Sequence, residues 1–203
     1  MGVKKVVFIH IPKTAGRSVN AAIEGGNKKK KLDYVYLHGM QAVKNASESI
    51  EDGYTFTFVR DPWDRVVSNY YYAHTMYDAL GEKRKTPLHE FRIEITKTKN
   101  FSGYVELLYN NWSNVKNLLH FFPQVGYVRP FQEHINYVGR YETISTDIEY
   151  VGREIGLSLV LPYENLSAER KLPYRDHYNE KTKSMVTELY ADDIKYFGYG
   201  WKR

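Results

Sequence analysis

The chain has 203 residues, 42% of them hydrophobic and 26% charged, with a formal net charge of +5 and no cysteine. This composition suits one ordinary soluble globular domain with a full core, and it excludes disulfides and thiolate metal sites. No apolar run approaches the ~20 residues of a membrane span.

Met1 to Lys5 leads into a strand rather than an apolar signal segment, so a cytoplasmic location is expected. The mild positive charge leans towards anionic partners without making a case for nucleic acid. Val6 to Ile11 is a mostly β-branched run of the kind buried in a parallel sheet, and Pro12 stops it. Lys13, Thr14, Ala15, Gly16 and Arg17 then supply cations, a hydroxyl and small residues before a helix expected from Ser18 and closed by Gly25 and Gly26. A strand entering a helix through such a turn leaves free amides at the helix N-terminus, which attract an anion. Lys13 belongs in the mouth of that site. The Lys28 to Lys31 run reads as a solvated loop.

Tyr34 to Leu37 is a second short strand ending at His38-Gly39, residues 41 to 50 read as a short helix, and Tyr54 to Val59 alternates as a strand. After Arg60 the pattern turns helical. Asp61 suits the N-cap, Pro62 the first helical position and Asp64 the first turn. Trp63, Val66, Val67, Tyr70, Tyr71 and His74 recur at helical spacing as a core face. Ser68 lies seven residues past the cap, about 10 Å along the axis, so an anion held by Arg60 and Ser68 would lie beside this helix.

Residues 75 to 100, polar and with Lys83-Arg84-Lys85 and Pro87, read as an insertion or mobile segment over the site. Phe101 to Phe122 reads as helix, with Ser113 a cap inside it. Gln124 to Val128 and Ile135 to Tyr141 look strand-like. Thr146 and Glu149 have capping-box spacing for a helix that closes at Gly156. A long loop over 157 to 178 leads to Asn179, which caps a final helix to about Tyr196. Strands at 6–11, 34–37, 54–59 and 135–141 alternating with helices predict an α/β fold, a parallel sheet covered by helices.

Together, HIPKTAGRS (residues 10 to 18) and FVRDPWDRVVSNYY (58 to 71) resemble the two nucleotide-binding signatures of sulfotransferases that use 3′-phosphoadenosine 5′-phosphosulfate (PAPS). The likeness is to the carbohydrate type similar to heparan sulfate 2-O-sulfotransferase. The GRYE segment at 139 to 142 and the C-terminal tail from Tyr178 extend it nearly end to end, towards bacterial and membrane-bound members. The resemblance implies a P-loop-like α/β sandwich in a single domain. It also implies that Lys13, Thr14, Ala15, Gly16, Arg17 and Ser18 hold the 5′-phosphosulfate while Arg60 and Ser68 hold the 3′-phosphate. Arg175, in the long loop after Pro173, is a further nucleotide-binding candidate, with a solvated surface arginine as the alternative.

The implied reaction is in-line sulfuryl transfer to an acceptor hydroxyl, expected on a saccharide, without a metal. In such a reaction the protein positions the reactants and neutralises charge on the departing phosphate. Lys13 does the second task and a histidine suits the base. Of the seven histidines, His38 is assigned. It follows a strand end between the two motifs, where the resemblance places a catalytic histidine in an HGH segment; here the segment is HGM, with Met40 third. His10 reads as a satisfied core histidine, and His134 and His177 as surface residues. Two other classes remain open. A nucleotide or small-molecule kinase is disfavoured because Val7 and Pro12 stand where a Walker A loop needs glycines. A non-catalytic nucleotide or polyanion binder would rely on the basic loops alone.

Overall fold

The computed structural model describes residues 5–28, 30–45, 47–80, 86–162 and 172–201. The Lys83-Arg84-Lys85 cluster and part of the 157–178 loop lie outside them. In chain order the elements are β1 (Lys5–His10), α1 (Gly16–Asn27), β2 (Asp33–His38), α2 (Met40–Asn45), α3 (Ser47–Asp52) and β3 (Tyr54–Val59). Next come α4 (Pro62–Leu80), α5 (Pro87–Thr96), α6 (Phe101–Asn110), α7 (Trp112–Val115) and α8 (Val125–Val128). β4 (Ile135–Arg140), α9 (Ile144–Ile155), α10 (Glu180–Leu189) and α11 (Ala191–Phe197) complete the chain. The described residues gather into two compact units. One ends at Arg60 and resumes at Gly126; the other begins at Asp61, runs to Val125 and resumes in the C-terminal stretch.

The first unit carries a four-stranded sheet in the order β2-β1-β3-β4, every pair of it parallel, so the α/β expectation holds. Strand parity explains its core. Val6, Phe8, Phe56 and Phe58 point to one face and pack with Val19 and Ile23 of α1 and Ile148, Val151 and Ile155 of α9. On the other face Thr55 and Thr57 are fully buried, and their hydroxyls donate to Ile50 O and Ile9 O at 2.9 and 2.7 Å. That satisfaction lets polar residues sit inside the sheet.

The second unit is helical, with a core of Trp63, Val66 and Val67 from α4, Phe91 and Ile95 from α5, and Tyr104, Val105 and Leu108 from α6, among others. Asp61 caps α4 as its sequence suggests: its Oδ1 accepts from the backbone N–H of Trp63 and Asp64 at 2.9 and 3.2 Å. Asn179 and Thr182 form a reciprocal capping box on α10.

Several expectations need correction. Helix α1 runs through Gly25 and Gly26 rather than stopping there; Leu157, Ser158 and Leu159 close on Gly26, where an added Cβ would meet Leu159 at 3.1 Å. That packing outweighs a glycine's cost of ~1 kcal/mol inside a helix. The 41–50 stretch falls into two helices, α2 and α3. The described residues of the 75–100 stretch are largely helical: α4 extends to Leu80, and Thr86 caps α5, which buries His89, Phe91 and Ile95.

The single helix expected over 101–122 ends at Asn110, and Ser113 lies within α7 rather than capping a helix. Residues 125–128 are helical, not a strand. Thr146 lies inside α9 and is not its cap; the Asp147 carboxylate instead accepts from the Arg140 backbone N–H at 2.6 Å and the Thr143 hydroxyl at 3.0 Å. Gly156 does end α9, in the left-handed conformation at φ 69°. The last helix breaks at Tyr190 into α10 and α11.

Candidate active site

In a parallel sheet of this order, β1 is followed by β2 on one side and then β3 on the other. The carboxyl ends of β1 and β3 therefore flank the point where the chain's direction of winding reverses, the usual place for a ligand in such folds. The two loops that leave these ends carry the first motif and Arg60.

After His10 the chain passes through buried Ile11 and Pro12. Lys13 and Ala15 then adopt positive φ, 72° and 63°. Between them Thr14 is fully buried, and its Oγ1 donates to Ile11 O at 2.8 Å, pinning the turn to the strand end. Left-handed residues in such a turn present successive backbone N–H groups to one side, a concavity suited to an anion. Helix α1 then starts with no side-chain cap from Ala15 and no acidic residue in its first turn. Its first-turn amides and positive dipole end are therefore not offset by a side chain of the cap. Gly16 and Ser18 are buried at that end and Arg17 is exposed.

Arg60 follows β3 and is 5% exposed. Its Nη1 donates to the Lys13 carbonyl at 3.1 Å, and its guanidinium lies 3.8 Å over the Tyr141 ring. The two motif residues expected to serve one nucleotide therefore meet: Arg60 braces the backbone of the turn that carries Lys13. In the sequence Tyr141 stands only as the end of a strand-like run and a member of GRYE.

His10 and His38 pair in register at the ends of β1 and β2, and their rings stack at 4.6 Å between centroids. His10 Nδ1 is hydrogen-bonded to the Tyr36 hydroxyl at 2.5 Å. As expected of a core histidine, His10 is buried and satisfied. Its desolvation, with the positive charges of His38, Lys13 and Arg17, lowers its pKa from 6.5 to about 3. Burial is the larger cause of that shift, and the nearby Lys13 and Arg17 add to it. Desolvation also lowers the pKa of His38, so its imidazole is neutral at pH 7 and able to accept a proton. Tyr36 shares a strand face with His38, two residues on, and that parity was legible in the sequence. Its closeness to His10 was not, because it depends on β1 and β2 being neighbours.

Other candidates are carried by other elements. Ser68, buried on α4, and Arg175 belong to the helical unit. Arg175 is exposed, with its guanidinium 4.6 Å from the Tyr174 ring centroid and 5.9 Å from that of Trp201. His177, also there, is hydrogen-bonded to the Tyr71 hydroxyl at 2.8 Å and to Pro173 O at 3.1 Å. His134 is exposed just before β4. Lys28, Lys30 and Lys31 are exposed as expected, and Lys30 Nζ donates to the Gly156 carbonyl at the end of α9.

A parallel sheet with an uncapped, cation-flanked turn at its winding reversal defines an α/β protein suited to an anionic ligand at that turn. The chain matches the model of the Sulfotransferase family over residues 2–200 and belongs to that family. It is also similar to carbohydrate sulfotransferase 10 of Xenopus laevis, 21% identical over 179 residues that make up 78% of this chain and 50% of the relative. The chain thus spans about half the length of that curated relative. None of the described helices is long and apolar enough to cross a membrane.

Proposed function

We propose that the protein transfers the sulfuryl group of PAPS to a hydroxyl of a saccharide. The observation that carries this reading is the turn from Ile11 to Gly16. Two left-handed residues, an uncapped helix end, Lys13 and Arg17 converge there, and the backbone is tied to Arg60. These residues fit a doubly anionic group without any change of side chain. The likeness to carbohydrate sulfotransferase 10 supports a saccharide as the acceptor.

When bound, PAPS supplies an activated sulfuryl group whose departure leaves charge on a phosphate oxygen. Lys13 and the first amides of α1 stabilise that developing charge. Arg60 holds the turn in place through the Lys13 carbonyl and adds a buried cation. His38 accepts the acceptor hydroxyl's proton at its imidazole, which its lowered pKa keeps unprotonated near neutrality. The role that the resemblance gives to Ser68, and the candidacy of Arg175 in the loop after Pro173, are tested by their own alanine variants.

The test is transfer from radiolabelled PAPS to a panel of glycans, lipids and peptides, with calorimetric titration of 3′,5′-ADP. Transfer to a saccharide, with ADP binding weakened by Arg60→Ala and Ser68→Ala, supports the reading. No transfer to any acceptor together with no ADP binding refutes it. Magnesium-dependent ATP turnover would point instead to a kinase.

A further inference from the structure

We infer that His10 is a positioning residue that sets the His38 ring and the first turn of α1 from one place. This rests on the reading of His38 as the base. Three contacts converge on the His10 imidazole. Its Nδ1 is bound to the Tyr36 hydroxyl at 2.5 Å. One ring face is stacked on His38, with 25° between the planes. The ring also fills the space over Gly16, so that a Cβ there would stand 1.8 Å from His10 Cδ2 and 2.3 Å from Nε2. The side chain is 6% exposed, and Phe8 stacks behind it at 6.0 Å.

A ring held on three sides has one orientation available, and whatever stacks on it inherits that order. His38 otherwise stands exposed at the end of an edge strand, where an imidazole would sample several rotamers. A base has to meet the acceptor proton within hydrogen-bond reach, and small errors of placement are expensive in rate. The charged and titratable groups facing His10 are Lys13 from the turn, Arg17 from α1, and Tyr36 and His38 from β2. Burial first, and then the two cations Lys13 and Arg17, keep His10 uncharged, so it serves as a wall rather than a proton carrier. The Tyr36 hydroxyl is the peg that stops this wall from turning. Because the same ring presses on Gly16, the base and the anion-binding turn are placed by a single side chain.

The experiment compares wild type with Tyr36→Phe, which removes one oxygen from a partly exposed residue, and with His10→Phe, which keeps a ring but removes its nitrogens. Two readouts are taken: the His38 imidazole titration by NMR in the free protein, and kcat and KM for PAPS. Both variants keep a ring packed over Gly16, so the anion-binding turn holds and KM for PAPS stays nearly unchanged, while the loosened stacking is expected to raise the His38 midpoint towards its ordinary 6.5 and to lower kcat about ten-fold to a hundred-fold. If both variants titrate at His38 as wild type does and keep wild-type kcat, losing only thermal stability, the inference is overturned. Should His10→Phe fail to fold, Tyr36→Phe alone decides on the same criteria. The base assignment fails separately, through full turnover by His38→Ala, and the NMR titration still decides whether His10 orders that ring.

Discussion

Replacing Gly16 with alanine probes the join between the strand end and the turn. The new methyl would lie 1.8 Å from His10 Cδ2 and 2.4 Å from Cγ, whereas carbon atoms rest at about 3.5–4.0 Å. The ring must therefore retreat by about 2 Å, which breaks a 2.5 Å hydrogen bond to Tyr36 and the stacking on His38 at 4.6 Å. Overpacking of this kind costs ~1–3 kcal/mol, the hydrogen bond ~1 kcal/mol and the ring pair ~1 kcal/mol. Alanine's better helix propensity returns at most ~1 kcal/mol. The net loss is about 3 kcal/mol, or a fall of roughly 6–12 °C in Tm for a chain of this size. Thermal melts of Gly16→Ala, His10→Ala and the double variant form the assay. The double variant has room for the methyl, so it should be more stable than the two losses together imply, by ~1 kcal/mol or more. A Gly16→Ala protein that melts within about 1 °C of wild type and binds 3′,5′-ADP equally well would refute the reasoning.

Lys13→Ala should cut turnover by orders of magnitude while leaving Tm close to wild type, since Lys13 is only half-buried; a coupled kcat and melting measurement checks both parts. His10 titrates near 3 when folded against 6.5 when unfolded, so the unfolded chain binds the extra proton between those values. Its contribution is complete above pH 6.5 and is lost as pH falls towards 3, with a ceiling of the order of 5 kcal/mol. Urea midpoints should accordingly fall less steeply between pH 7 and pH 4 in His10→Phe than in wild type. Asp193 is fully buried and accepts from the backbone N–H of Gln124 and Val125 at 2.9 and 2.8 Å, close enough to Arg65 for the two charges to interact. Asp193→Ala strands those donors beside a buried guanidinium and should cost ~3–5 kcal/mol in urea unfolding.

The turn residues were legible because each acts locally. Proline ends a strand, small residues and a lysine follow, and the helix begins without a cap. Asp61-Pro62 and Asn179 were legible for the same reason, since a cap reaches only three residues along the chain. Other parts of the candidate site were hidden. His10 is the core residue its strand suggests, but its place beside His38 was hidden because no sequence spacing tells which strand lies beside β1, and the contact of Tyr141 with Arg60 was hidden because the two are far apart in the chain.

By itself the sequence determined the four parallel strands to within a residue or two, the helix that follows each motif, and the chemistry gathered in the first turn. Those features depend on neighbours within a few positions. Tertiary structure alone decided the rest. Residues 125–128 became helical where Asp193 receives the amides of Gln124 and Val125, overriding a local leaning towards strand. Helix α1 ran on through Gly26, where Leu157 and Leu159 close on it. The pairing of His10 with His38 came from the register of β1 on β2. In each case a contact between residues distant in the chain supplied free energy that a short window of sequence does not contain.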